Sequence, residues 1–244
     1  MENKKWTKKY LVIIWLITLI VVIAAICGHF FKLASFWGFG FENYDVDVNT
    51  YDFSKETVSE IVIDMNAADI NIEYGNEFSV DASFPDKYAP TVDMNNGKLE
   101  IKQRQNIKNW SGSNDFLLNI TVPNNTTLDT LKIDVSAGDV DIKDIKANKL
   151  IIDANAGDID VNDITSEKIT IDANAGDINV MGSTAKNIEV NVNAGDVDIT
   201  GTYDKIDCDC DLGDIDISAP DTDIDDIDVD CALGSVNVNG TSKK

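Results

Sequence analysis

The chain has 244 residues, 43 of them acidic against 20 lysines and arginines, for a formal net charge of −23, and it is 43% hydrophobic. That length gives one or two domains with apolar residues enough for a core. The acidity excludes nucleic acid as a partner, because phosphate binding needs clustered Lys and Arg. Arg104 is the only arginine and His29 the only histidine, so mechanisms that need histidine as acid or base, or arginine as a carboxylate clamp, have one candidate residue each.

Residues 1–9 form a basic segment carrying Lys4, Lys5, Lys8 and Lys9, and 10–27 then run without a charge or a proline. As a helix those eighteen residues span about 27 Å, close to the ~30 Å hydrocarbon core. The positive-inside rule puts 1–9 in the cytoplasm and the chain beyond about residue 30 outside. Residues 10–29 are therefore expected to be a transmembrane signal anchor of a single-pass cell-membrane protein. A cleaved signal peptide is the competing reading, with a shorter apolar region and a small-x-small cleavage site. A lipoprotein site would place a small residue before Cys27, where Ile26 stands. Residues 30–44 carry Phe30, Phe31, Phe36, Trp37, Phe39 and Phe41; they read as an aromatic juxtamembrane belt or as an apolar extension of the helix.

The extracytoplasmic part, 45–240, repeats itself, and self-similarity at a fixed period is the signature of stacked units. The segments LKIDVSAGDVDI (131–142), LIIDANAGDIDV (150–161), ITIDANAGDINV (169–180), IEVNVNAGDVDI (188–199), IDCDCDLGDIDI (206–217) and IDVDCALGSVNV (227–238) align. Their glycines, Gly138, Gly157, Gly176, Gly195, Gly213 and Gly234, are spaced 19, 19, 19, 18 and 21 apart. IVIDMNAADINI (61–72) is a further copy with Ala68 in the glycine slot. Apolar and polar residues alternate with period two, a strand pattern. Each repeat reads as strand, glycine turn, strand and short polar link, the glycine supplying positive φ.

Such a unit cannot bury its apolar face alone, but a stack can. The expected fold is all-β: a single-domain β-solenoid of ~19-residue parallel rungs, irregular over 45–130, regular over 131–240, with a solvated tail at 241–244. An antiparallel sandwich is the alternative. Asn96-Gly97 marks a hairpin, and FLLNITVP (116–123) a strand closed by Pro123.

The DANAGDI rungs, the NNGKLEI segment, the ITVPNNTTLDTLKI run and the single N-terminal anchor together resemble the bacterial putative-adhesin family with β-strand repeats, a domain of unknown function. The resemblance covers about residues 45–240. It implies a cell-surface β-solenoid without known catalysis and supplies no functional residues to carry over.

Three constellations remain. Asp139, Asp158, Asp177, Asp196 and Asp214 follow the glycines and, in register, stand about 5 Å apart, a repulsion of order 1 kcal/mol per pair in water. Solvent and salt can screen it, or Ca²⁺ can bridge rungs as a bound cofactor. The spacing of the calcium-binding nonapeptide is absent, and the run from Asp221 to Asp230 lacks EF-hand spacing. A charge run is ordinarily a solvated face.

Cys208, Cys210 and Cys231 lie on the apolar side. Cys210 and Cys231 share the slot of Ala154 and Ala173, within disulfide range if stacked. Core-filling thiols come first, a Cys210–Cys231 disulfide second, and metal last for want of histidine. Asn66, Asn155, Asn174 and Asn193 precede the turn and suggest an amide ladder or turn caps.

Aspartate pairs could serve glycoside chemistry, but uniform repeats without long loops wall no cleft, and no catalytic residue is assigned. The sequence points to a membrane-anchored interaction or scaffold module of the cell envelope, bound to an envelope protein or surface polymer. A membrane-bound accessory of envelope-stress or signalling machinery is the alternative, and a calcium-binding acidic solenoid a minor one.

Overall fold

The computed structural model describes residues 46–103 and 116–243, within a compact unit running Tyr44–Lys244. The anchor and aromatic belt expected at 10–29 and 30–44 lie outside the described residues. Among the described residues no helix is long and apolar enough to cross a membrane.

The strands follow the period-two pattern. They are β1 (Asp47–Asp52), β2 (Glu60–Met65), β3 (Asp69–Gly75), β4 (Ser79–Phe84), β5 (Thr91–Asn95) and β6 (Lys98–Lys102). Next come β7 (Leu117–Pro123), β8 (Thr127–Val135), β9 (Val140–Lys143), β10 (Lys146–Ala154), β11 (Ile159–Asn162) and β12 (Thr165–Ala173). The last six are β13 (Ile178–Ala194), β14 (Val197–Leu212), β15 (Ile215–Ser218), β16 (Ile227–Leu233), β17 (Val236–Val238) and β18 (Thr241–Lys243). Their composition, rich in Val, Ile and Thr, suits a pleated half-buried surface.

Two ladders carry the stack. Ladder A runs β5–β6–β2–β8–β10–β12–β13–β14–β16, parallel except for the β5–β6 hairpin. Ladder B runs β7–β3–β9–β11–β13–β14–β15–β17 in parallel. It is closed by β1 and β4 at one end and by β18 at the other, all antiparallel. β13 and β14 are long enough to serve both ladders. The fold is thus the parallel β-solenoid, and antiparallel pairing is confined to its ends.

Like stacks on like: Leu150 pairs with Leu131 and Ile169, and Ile152 with Ile133 and Ile171. These side chains are fully buried, each contributing about 1.5–3 kcal/mol of apolar transfer.

The rungs are not in chain order at the N-terminal end. The rung of β2 and β3 sits between that of β6 and β7 and that of β8 and β9. The intervening β4 and β5 turn back as antiparallel covers over β7 and β6. The irregular stretch 45–130 therefore contains two regular rungs threaded out of order. Asn96 and Gly97 form the β5–β6 turn, with φ of 50° and 81°. The tail expected to be a solvated end is in part β18, an edge strand on β17.

The uneven glycine spacings have local causes. The 18-residue step is taken up where the β13–β14 register shifts between Val180 and Ser183. The 21-residue step accommodates a short 3₁₀ turn, Ile224–Asp226, between β15 and β16.

Candidate functional site

The glycine turn organises the polar surface. Gly138, Gly157, Gly176, Gly195 and Gly213 have φ from +126° to +150°. A Cβ at any of them, or at Gly234, would collide with the carbonyl oxygen of the turn one rung earlier. Close approach of stacked backbones, as much as left-handed φ, reserves this slot for glycine.

The aspartates after the glycines form a hydrogen-bonded ladder. The backbone N–H of Asp158 donates to Asp139 Oδ1 (2.9 Å), that of Asp177 to Asp158 Oδ1 (2.9 Å), and that of Asp196 to Asp177 Oδ1 (2.9 Å). Asp214 N–H donates to Asp196 Oδ1 (2.8 Å), and Asp139 N–H to Asp69 Oδ1 (3.0 Å). At the far end Ser235 gives both its N–H and its hydroxyl to Asp214 Oδ1, holding that carboxyl below its ordinary value. Each carboxylate thus caps the next turn, and the N–H it accepts offsets part of the stacking repulsion. Among the described residues no three His, Cys, Asp or Glu side chains gather to hold a metal ion. The proposed Ca²⁺ row at Asp139, Asp158, Asp177, Asp196 and Asp214 is in this structure a row of turn caps.

Two further acidic rows flank it. On ladder B, Asn71, Asp141, Asp160, Asn179, Asp198, Asp216 and Asn237 are register partners. On ladder A the row is Asp64, Asp134, Asp153, Asp172, Asn191, Asp209 and Asp230. Asparagines break the charge: Asn179 Nδ2 donates to Asp160 Oδ1 (2.9 Å), and Asn191 Nδ2 to Asp172 Oδ1 (2.7 Å). Burial, and then neighbouring aspartates, push Asp134, Asp198 and Asp209 up from their ordinary values.

The asparagines before the turn form the expected amide ladder, Asn193 Nδ2 to Asn174 Oδ1 (2.6 Å) and Asn174 Nδ2 to Asn155 Oδ1 (2.7 Å). Asn66 does not join it. Its Nδ2 donates to the carbonyl of Gln103, a buried side chain whose Oε1 receives the N–H groups of Asn66 and Ala67.

The three described cysteines, Cys208, Cys210 and Cys231, are free thiols. Cys210 and Cys231 are register partners, but no bridge links them; their Sγ atoms face the carbonyls of Gly195 and Gly213. Burial raises the Cys208 thiol to about 12 and also raises Cys210.

Two grooves cross these rows. One of 220 Å³ is lined by Asp153, Asp172, Asn174, Asn191 and Asn193. The other, of 530 Å³, lies among Asn71, Glu73, Asp81, Asn119, Asp141 and Lys143. The second escapes a reading of the sequence because β4 and β7 reach β3 only through the out-of-order threading. Carboxylates and amides converge in both. The arrangement offers acceptors and donors to a polar or cationic partner.

The chain is similar to solved structures named "putative adhesin" from Bacteroides fragilis (16% identity, TM-score 0.47, covering 78% of this chain and 96% of that one) and "putative cell adhesion protein" from Clostridium sporogenes (12%, 0.48, 80% and 99%). It is also similar to a "putative adhesin" from Parabacteroides merdae (15%, 0.41, 82% and 95%). No curated protein matches it. A family model matches residues 58–243, nearly the whole solenoid, and the chain belongs to the Toastrack DUF4097 family, a domain of unknown function, as its rungs suggest.

Proposed function

We propose that this chain is a single-pass protein of the cell envelope, anchored by residues 10–29 with its solenoid extracytoplasmic, and that it works as an adhesin-like interaction and scaffold module without catalysis. One observation carries the reading: the solvent faces are repeated rows of Asp and Asn, fixed rung by rung through side chain–backbone and amide bonds. A fixed acidic array binds a basic envelope protein or surface polymer weakly at each rung and strongly along its length. Association is then salt-dependent.

The test is localisation in intact host cells. The full chain is expected to pellet with membranes and to lose its solenoid to externally added protease. A chain recovered in the cytosol, or shielded from that protease until lysis, overturns the reading. A second reading, an accessory to envelope-stress or signalling machinery, draws support from the aromatic residues beside the apolar run. It requires the segment 10–41 for activity, whereas a binding rod does not.

A further inference from the structure

The two ladders end differently. Ladder B is closed beyond β17 by antiparallel β18, but β16 pairs with β14 and with no other strand among the described residues. The opening shows in the burial of the inward side chains. Ile152, Ile171, Val190 and Cys208 occupy one slot of successive rungs and are fully buried, whereas Val229 in the same slot of β16 is half-buried. The neighbouring slot runs Ala154, Ala173, Val192, Cys210 and then Cys231, again half-buried only at the end.

The backbone points the same way. In that second slot Val135 and Ala154 offer their carbonyls to the following rung, accepting from Asn155 and Asn174 N–H at 3.0 Å. N–H and C=O of one residue share a side of the strand and alternate along it. Cys231 and Val229 therefore aim theirs at the open edge. Such an edge is a template for an extended chain.

Its surroundings specify which chain. Asp228 and Asp230 are exposed on β16, backed in register by Asp207 and Asp209. From residue 204 to 230 there are 12 aspartates and a single basic residue, Lys205. Where the preceding rung has Ala194, the last two have Leu212 and Leu233, paired in register and 55% and 68% exposed. A second copy is a poor occupant, since the free edges of its own ladder A are β5, which carries Asp93, and β16 itself, whose Asp228 and Asp230 would meet the same two aspartates.

We propose that β16 is a docking edge for an extended basic strand of a partner protein, which adds in parallel as the next rung. Lysines or arginines at alternate positions meet Asp228 and Asp230. The apolar residues between them cover Val229 and Cys231, and one more packs on Leu233. This deepens the interaction role proposed above by naming the partner's chemistry, and it uses a surface separate from the ladder faces.

The test titrates full-length protein in detergent micelles with a fluorescent nine-residue peptide alternating lysine and valine, and with the same peptide N-methylated at the amides of one edge. Tight binding of the parent peptide is expected, weakened about tenfold or more by N-methylation. Val229→Pro removes an edge N–H while leaving the pairing with β14, and it should weaken binding similarly. Asp228→Asn with Asp230→Asn should weaken it too, whereas Glu56→Gln with Glu77→Gln, exposed loop residues outside the acidic rows, should not. Equal affinity for the two peptides means that the faces hold the peptide by charge; the edge proposal then falls while the interaction role stands. No binding of either peptide overturns the edge proposal and the basic partner together. If Val229→Pro fails to fold, as judged by circular dichroism, the peptide comparison on unaltered protein decides alone.

Discussion

The glycine slot and the aspartate beside it do different work, and substitutions separate them. Gly157→Ala would drive a Cβ into the Gly138 carbonyl at a φ of +132°, and should cost about 2 kcal/mol or more. Gly240 also has positive φ but meets nothing within 4 Å, so Gly240→Ala should cost about 1 kcal/mol from backbone strain alone. Thermal melts of the two variants check the contrast. Asp158→Asn keeps an acceptor for Asp177 N–H and removes a charge from the row, so its midpoint should equal or exceed the parent's. Asp158→Ala loses the acceptor and should melt lower. A calcium ladder would reverse this pattern, Asp158→Asn then being harmful in millimolar calcium. The thiols give another check: in the native protein at neutral pH an alkylating reagent should reach half-buried Cys231 before buried Cys208, whose raised pKa keeps it protonated. Mass-spectrometric mapping of labelled peptides reads the order.

At the scale of the rung, stability is expected to be nearly modular. Excising Asp158–Gly176, one 19-residue period, joins Gly157 to Asp177 and preserves every slot. That variant should fold cooperatively with a lower midpoint, whereas excising half a period puts apolar residues on the solvent side and should not fold. Circular dichroism distinguishes the two. The modularity explains what the sequence disclosed. Period-two alternation inside a 19-residue repeat identifies strands, the inward face and the register of the regular rungs, because identical side chains align themselves. The threading of β2 and β3 between later segments was not legible, since every rung has the same alternation and nothing local ranks one neighbour above another. The aspartate row was legible as a row but not as turn caps. That role depends on an N–H one rung away, and spacing alone does not reveal where it points.

Over the whole molecule the excess of negative charge sets the response to solvent. Asp134, Asp198 and Asp209 have carboxyls raised above 3.8, by burial first and neighbouring aspartates second. The folded state therefore binds these protons more tightly than the unfolded chain. The stability they confer is full below the ordinary carboxylate pKa and is lost as pH rises through the raised values. Asp214, held low by Ser235, acts in the opposite sense, its contribution disappearing as pH falls below the ordinary value. The melting temperature should thus rise as pH is lowered from 7 towards the raised carboxylate values and fall again in stronger acid. Added salt should raise it at neutral pH by screening a net charge of −23. A midpoint that falls steadily from pH 7 downward would show that the stacked carboxylates are not under repulsion.

The proposed role makes the solenoid an outward-facing binding surface of the envelope. Photo-crosslinking in cells of its own host tests it most directly, with a photoreactive residue replacing Asp160 on an outer row, Ala232 beside the open edge, or buried Ile171 as a control. A discrete product with an envelope protein or surface polymer is predicted from the outward positions and none from Ile171. Capture of cytosolic proteins, or no product from either outward position while the chain is present at the membrane, would contradict it.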